Sequence, residues 1–251
     1  MLKEERQTQI LEILRKNGKV LAGELSRHFN VSEDTIRRDL RELDQAGQMY
    51  RVHGGGLPHS PAGVSFAERL KQSPTAKAAI ARAAVRHIQP GQVVILDGGT
   101  TNLQVALNLA PTLNATIITN SPVIADTLSD HPLVEVEMVG GRLYKESRVL
   151  IGASAVEDFR SIRADICFLG ICSLHPEAGI TTNCSEESYL KQAMMLGSSE
   201  VVALASVEKL DTASAYVVAP ISALTYLITE KEIPEDKIHP YREAGIQVEQ
   251  V

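Results

Sequence analysis

Val31-Ser32-Glu33-Asp34-Thr35-Ile36-Arg37-Arg38-Asp39-Leu40 is the stretch on which the reading of this chain turns. Its apolar members Ile36 and Leu40, with Leu43 beyond them, fall at helical spacing and must pack inward. Ser32 stands where a helix cap is needed, and Glu33 and Asp34 occupy a first turn where the helix dipole favours acids. Thr35 and Arg38 then share the outer face, flanked by Asp34, Arg37 and Arg41. Arginines on such a face can clamp guanine edges in a major groove, for about 1–3 kcal/mol of discrimination each. They can also sit on phosphates without reading sequence, or merely solvate the helix and pair with Asp39 and Glu42.

The flanking sequence supports the first use. Ile10, Leu11, Ile13 and Leu14 form the apolar face of an earlier helix that Asn17-Gly18 closes. A second short helix is expected from about Leu21 to Phe29, with Leu21, Leu25 and Phe29 four apart, and Asn30-Val31 makes the turn. The third helix runs to about Gln45, and Gly47 stops it. Met49-Tyr50-Arg51-Val52 then reads as a short strand entering His53-Gly54-Gly55-Gly56, the composition of a hairpin wing. Arg51 beside these glycines suits a phosphate or a minor groove. Two short helices, a tight turn and an arginine-bearing third helix make a helix-turn-helix by pattern. The candidate DNA contacts are Ser32, Asp34, Thr35, Arg37, Arg38, Arg41, Arg51, His53, Gly54 and Gly55.

Pro58, Pro61 and Pro74, with Ser and Gly between them, mark residues 58–74 as a linker. The chain thus divides into a DNA-reading domain (1–57), that linker, and a larger domain (75–251). The net charge of −6 is unevenly spread. Residues 1–57 carry ten basic and nine acidic residues, and the remainder carries fifteen basic against twenty-two acidic. The acidity therefore belongs to the larger part and does not argue against a DNA reader in front. Cys167, Cys172 and Cys184 are odd in number and lack Cys-x-x-Cys spacing, so neither a disulfide framework nor a metal site is expected. No run of 18 apolar residues occurs and the N-terminus is charged, so no membrane span or signal peptide is read and the expected location is the cytoplasm.

From about Thr75 the texture is α/β. A helix to His87 leads through Pro90-Gly91 to the apolar strand Val93–Leu96. Further strands fit residues 116–119, 134–139, 166–169, 201–204 and 224–228. Short aliphatic strands alternating with helices predict a mainly parallel sheet covered on both faces. Asp97-Gly98-Gly99-Thr100-Thr101 follows the first of these strands and opens a helix, so backbone N–H groups and hydroxyls can meet an anion there. Thr119-Asn120-Ser121-Pro122 repeats the device one strand later, although capping alone would also explain it. Ligands in open α/β sheets collect outside the carboxyl strand ends, so both loops are candidates for an effector site, with Lys209 as counter-charge.

Val31–Leu40, followed by Arg51-Val52-His53-Gly54-Gly55, closely resembles the recognition-helix and wing signature of the DeoR family of bacterial repressors. The remainder is similar to that family's effector domain, which shares the fold of ribose-5-phosphate isomerase. The resemblance runs from about residue 75 to 230 and includes Gly140-Gly141, Gly152, Asp165, Gly170, Thr181-Thr182, Glu187 and Lys191. It adds Gly170, Glu187 and Lys191 to the candidate effector contacts. It implies a homo-oligomer, dimer or tetramer, that binds double-stranded operator DNA and is released by a small sugar phosphate or sugar acid, with no cofactor and no catalysis. Two positions depart from the family pattern. Ser206 stands where an aspartate is usual ahead of Lys209, and Ser173 where a glycine is usual. Both leave room for an effector other than a typical sugar phosphate. Two other readings remain: a sugar-phosphate isomerase with a DNA-binding head, whose base would be Asp97 or Glu187, and a cysteine-based redox regulator.

Overall fold

The computed structural model describes residues 1–52, 54–58 and 65–251. Its N-terminal part contains α1 (Lys3–Asn17), β1 (Val20–Leu21), α2 (Ala22–Phe29), α3 (Glu33–Gln45), β2 (Tyr50–Val52) and β3 (Gly55–Leu57). Ile10, Leu14, Leu25, Ile36, Leu40, Leu43 and Met49 bury themselves as one small core between the helices. The wing strands form an antiparallel sheet in the order β1-β3-β2. The second helix starts after Leu21 because Val20 and Leu21 pair with Gly56 and Gly55 of the wing. Periodicity alone reads Leu21 as helical; the wing captures it as strand.

Within the segment read as a linker, Phe66–Lys71 form α4, capped at Ser65 with Glu68 completing a capping box. Phe66 is buried and packs with the core of the larger domain, which turns a polar connector into an anchored helix. α5 (Pro74–Ala84) follows, with Pro74 at its first position, and a single 3-10 turn over Val85–His87 completes the expected helix.

The larger domain is built on seven strands: β4 (Val93–Leu96), β5 (Ala115–Thr119), β6 (Val134–Met138), β9 (Ala164–Gly170), β12 (Ser198–Leu204), β14 (Tyr226–Thr229) and β15 (Gln247–Gln250). Every pairing among them is parallel, in the order β15-β14-β12-β9-β4-β5-β6. One face is covered by α5, α6 (Thr100–Leu107) and α7 (Pro122–Leu128), around a core containing Ile80, Leu96, Ile117 and Phe168. The other is covered by α8 (Ala153–Ser161), α9 (Ser185–Leu196) and α10 (Glu235–Glu243), around Phe159, Leu169, Met194 and Tyr241.

Beside this sheet lie a hairpin, β7 (Arg142–Tyr144) with β8 (Val149–Ile151), and a three-stranded antiparallel sheet of β10 (Ser173–His175), β11 (Gly179–Thr182) and β13 (Tyr216–Ala219). These short strands and β15 carry neither a long apolar run nor clean alternation, and the sequence reading does not contain them. The strand order reverses between β4 and β9, so the loops after those two strands diverge and leave a crevice between them.

Candidate functional site

The outer face of α3 owes its charge to where its acids point. Asp39 is buried and bonded by Arg6 of α1, Nε to Oδ2 at 2.5 Å and Nη2 to Oδ1 at 3.1 Å. Glu42 accepts from Lys3 at 2.5 Å and from Gln7 at 2.8 Å. Asp39 is thereby withdrawn from the outward arginines, while Glu42, held by Lys3 and Gln7, acts on Arg38 only through space. Arg37 pairs with Glu33 one turn back at 2.9 Å. Arg38 and Arg41 are exposed and make no ion pair or hydrogen bond among the described residues. Ser32 caps the helix by accepting from the Thr35 N–H at 3.2 Å, and Asp34 is exposed beside them.

In the wing, Arg51 and Gly54 are exposed, whereas Gly55 is buried in β3 against the Val20 carbonyl. A Cβ there would lie 2.0 Å from that oxygen, so Gly55 serves the close approach of two strands rather than a DNA contact. His53 lies outside the described residues.

A second constellation fills the crevice between β4 and β9. Asp97 is buried and accepts from the Gly98 N–H at 2.7 Å, the Gly170 N–H at 2.9 Å and the Lys191 ammonium. It therefore ties the two loops together from beneath and does not line the cavity. Gly98 and Gly170 make this possible. A Cβ on Gly170 would lie 2.2 Å from the Gly98 carbonyl, and one on Gly98 would lie 2.0 Å from Val149 Cγ1.

Above them opens a small cavity of about 50 Å3, lined by Gly98, Gly99, Thr100, Thr101 and Asn102 at the start of α6 and by Gly170, Ile171 and Cys172 after β9. Four cations, Arg69, Lys77, Lys191 and Lys209, also line it, against one carboxylate, Glu187.

The electrostatics favour an anion. Lys191 is compensated: burial alone would lower its pKa, but Asp97 and then Glu187 outweigh that and raise it. Lys77 donates to the carbonyls of Arg69 and Gln72, and burial pushes its pKa down to about 8. Lys209 is buried, with no ion pair or side-chain hydrogen bond among the described residues, and burial lowers its pKa. Glu187 is raised by burial and touches Thr182 Oγ1 at 3.5 Å. The Asn102 amide donates to the Asp97 and Phe168 carbonyls, and its Oδ1 is buried without a partner. A buried lysine held in no ion pair and lining one cavity with a helix N-terminus is stabilised by an arriving anion, and Glu187 can bond hydroxyls.

The scan of family models matches residues 6–59 to the DeoR-like helix-turn-helix domain and residues 72–231 to the DeoR C-terminal sensor domain. The chain belongs to the DeoR family. Relatives include the HTH-type transcriptional regulator GlpR of Haloferax volcanii, 33% identical over 99% of this chain and 98% of the relative. Another is the HTH-type transcriptional repressor GlcR of Bacillus subtilis, 35% identical over 92% of this chain and 90% of the relative. These names agree with the reading of a regulator rather than an enzyme. Among solved structures, ribose 5-phosphate isomerase A from Methanocaldococcus jannaschii is 15% identical, covers 55% of each chain and has a TM-score of 0.41.

Within this DeoR-family sensor the second sequence-predicted loop does other work. Thr119 donates to the Leu96 carbonyl at 2.6 Å, the Asn120 amide donates to the Leu150 carbonyl at 3.1 Å, and Ser121 caps α7. All three are buried and none lines the cavity, because β5 lies on the side of β4 away from β9.

Sequence reasoning missed Arg69 and Lys77, which α4 and α5 bring in from the supposed linker and the helix after it, as well as Asn102 and Cys172. The departures from the family pattern are structurally quiet. Ser206 donates to Glu208 at 2.7 Å, and Ser173 shares a buried hydrogen bond with Ser214 at 2.7 Å. Glu208, which holds the Ser206 hydroxyl, acts on Lys209 through space, but burial outweighs it and the ammonium has no ion pair among the described residues.

Each rival reading loses one of its candidate residues, Asp97 for the isomerase and Cys167 for the redox regulator. Asp97 already accepts from three donors and is not free as a catalytic base. Cys167 is fully buried, and burial pushes its thiol far above the range where it would react. Among the described residues no helix is long and apolar enough to cross a membrane, and no cluster of His, Cys, Asp or Glu could hold a metal ion.

Proposed function

We propose that this chain represses a carbohydrate or sugar-acid catabolic operon and is released from its operator by a small phosphorylated or acidic sugar metabolite. Arg38 and Arg41 read or clamp operator DNA, with Arg51 and the wing on the flanking backbone. The effector's anionic group lies on Gly98–Thr101 and is met by Lys209, with Lys77 and Arg69 beside it. Its hydroxyls reach Glu187. The observation that carries this reading is the buried Lys209, without an ion pair among the described residues, in the same cavity wall as the first turn of α6. Glu187 and Lys191, supported by Asp97, complete the pocket.

The test is binding to the DNA upstream of the chain's own gene at fixed salt, titrated with a panel of sugar phosphates and sugar acids. One compound should release wild-type protein, and Lys209→Met should raise the concentration needed by tenfold or more while leaving ligand-free operator binding intact. If no specific complex forms, the DNA-reading role falls. If the compound releases Lys209→Met as readily as wild type, the anion site is misplaced.

A further inference from the structure

Two chain segments run directly from the effector cavity to the DNA-reading domain. The first leaves the cavity at Cys172 and reaches His175 at the end of β10 three residues later. The second leaves it at Lys209 and reaches Asp211 two residues later and Ala215 four beyond that. At their far ends a cleft is shared by Asn17, Gly18 and Lys19 of the reader and by His175, Glu177 and Asp211 of the sensor. The Tyr50 hydroxyl of the wing donates to the Ala215 carbonyl at 3.4 Å, and a Cβ on Gly18 would stand 3.9 Å from Asp211 Cβ.

The two segments are also tied to each other. Leu174 bridges Leu210, Ser173 bonds Ser214, and the Tyr241 hydroxyl donates to the Leu174 carbonyl at 3.1 Å while accepting from the Asp211 N–H at 3.4 Å. A displacement at Lys209 or Cys172 is therefore carried by both to the same contact. Among the described residues the contact is slight in apolar terms: the reader and sensor cores are separate clusters, and the Tyr50 hydrogen bond and charged side chains meet across a cleft. A dock that weak differs little in free energy from the separated arrangement, so modest differential binding of a ligand can shift the balance. In the docked arrangement Arg38 and Arg41 remain exposed, so docking leaves the recognition helix open to DNA.

We propose that this contact is the relay of the regulator: docking of Lys19 and Tyr50 on the 175–177 and 211–215 segments holds the reader in its DNA-binding arrangement, and an anion drawn onto Lys209 undocks it. The relay rests on the effector site described above, but its central claim can be read without any ligand.

The experiment uses the full chain with Gly18→Cys and Asp211→Cys, in a background where Cys172→Ser and Cys184→Ser remove the other accessible thiols. The 3.9 Å separation lies inside the disulfide range of about 3.5–4.5 Å. Mild oxidation should close the bond. The oxidised form should bind operator at least as tightly as the same protein reduced, and 10 mM ribose 5-phosphate or the panel's releasing compound should shift its affinity less than twofold.

A second variant, Glu177→Lys, opposes Lys19 with a like charge. It should weaken ligand-free operator binding fivefold or more, although the added positive charge by itself would strengthen it. Weaker operator binding by the oxidised form, or wild-type binding by Glu177→Lys, would each overturn the relay; because Gly18 stands at a φ of 72°, where a cysteine is strained, Glu177→Lys decides if the disulfide does not close. If no compound releases the wild type, the effector site fails, and the ligand-free comparisons still decide the dock.

Discussion

Arg37 gives its charge to Glu33 at 2.9 Å, while Arg38 and Arg41 reach solvent without an ion pair among the described residues, Asp39 being bonded to α1 and Glu42 acting on Arg38 only through space. Adjacent arginines in one motif are thus expected to differ in DNA binding. Arg38→Ala should weaken operator binding about tenfold or more, the scale of one lost base or phosphate contact. Arg37→Ala should weaken it less than threefold. Titrations at one salt concentration decide this, and equal losses would mean that the Glu33 pair opens on DNA. Sequence reading put these arginines on the outward face, where they are exposed, because helical period alone sets which side chains share a face. It placed Thr119, Asn120 and Ser121 in the effector site because two strand-end loops of like composition look equivalent in one dimension. Only the strand order separates them.

At the scale of elements, the Arg6–Asp39 pair fastens the recognition helix to α1 inside the small core, with side-chain exposures of 10% and 2%. Removing one partner leaves the other charge buried and unpaired, which typically costs about 3–5 kcal/mol, whereas replacing both with apolar residues is often neutral. Arg6→Met should therefore abolish operator binding and lower the unfolding midpoint of the reader, and Arg6→Met/Asp39→Leu should recover most of that stability. Urea unfolding followed by circular dichroism checks both, and a single mutant as stable as the double would remove the pair from the account. α4 teaches a related lesson. Its proline- and serine-rich surroundings read as linker, yet Phe66 reaches the sensor core and carries Arg69 to the cavity rim. Six helical residues are too few for periodicity to declare itself.

At the scale of the molecule, the sensor exposes Tyr189, Leu196 and Val217, the first two on one face of α9. A reader of paired half-sites needs at least two copies, so sedimentation equilibrium at micromolar concentration should return a multiple of the 27.2 kDa chain mass. A value near 27 kDa, held in the presence of operator, would contradict the homo-oligomer. The sequence by itself determined the helix-turn-helix, the parallel α/β class and the glycine-rich loop after β4. Each of those follows from local spacing of apolar, capping and small residues, which the chain displays in one dimension. The tertiary structure alone decided which loop meets which. It put the crevice between β4 and β9, locked Asp97 beneath it, and brought Lys77 to Lys191 and Lys209, more than a hundred residues further along the chain. Strand order and burial are properties of the whole packing, so no single stretch of sequence encodes them.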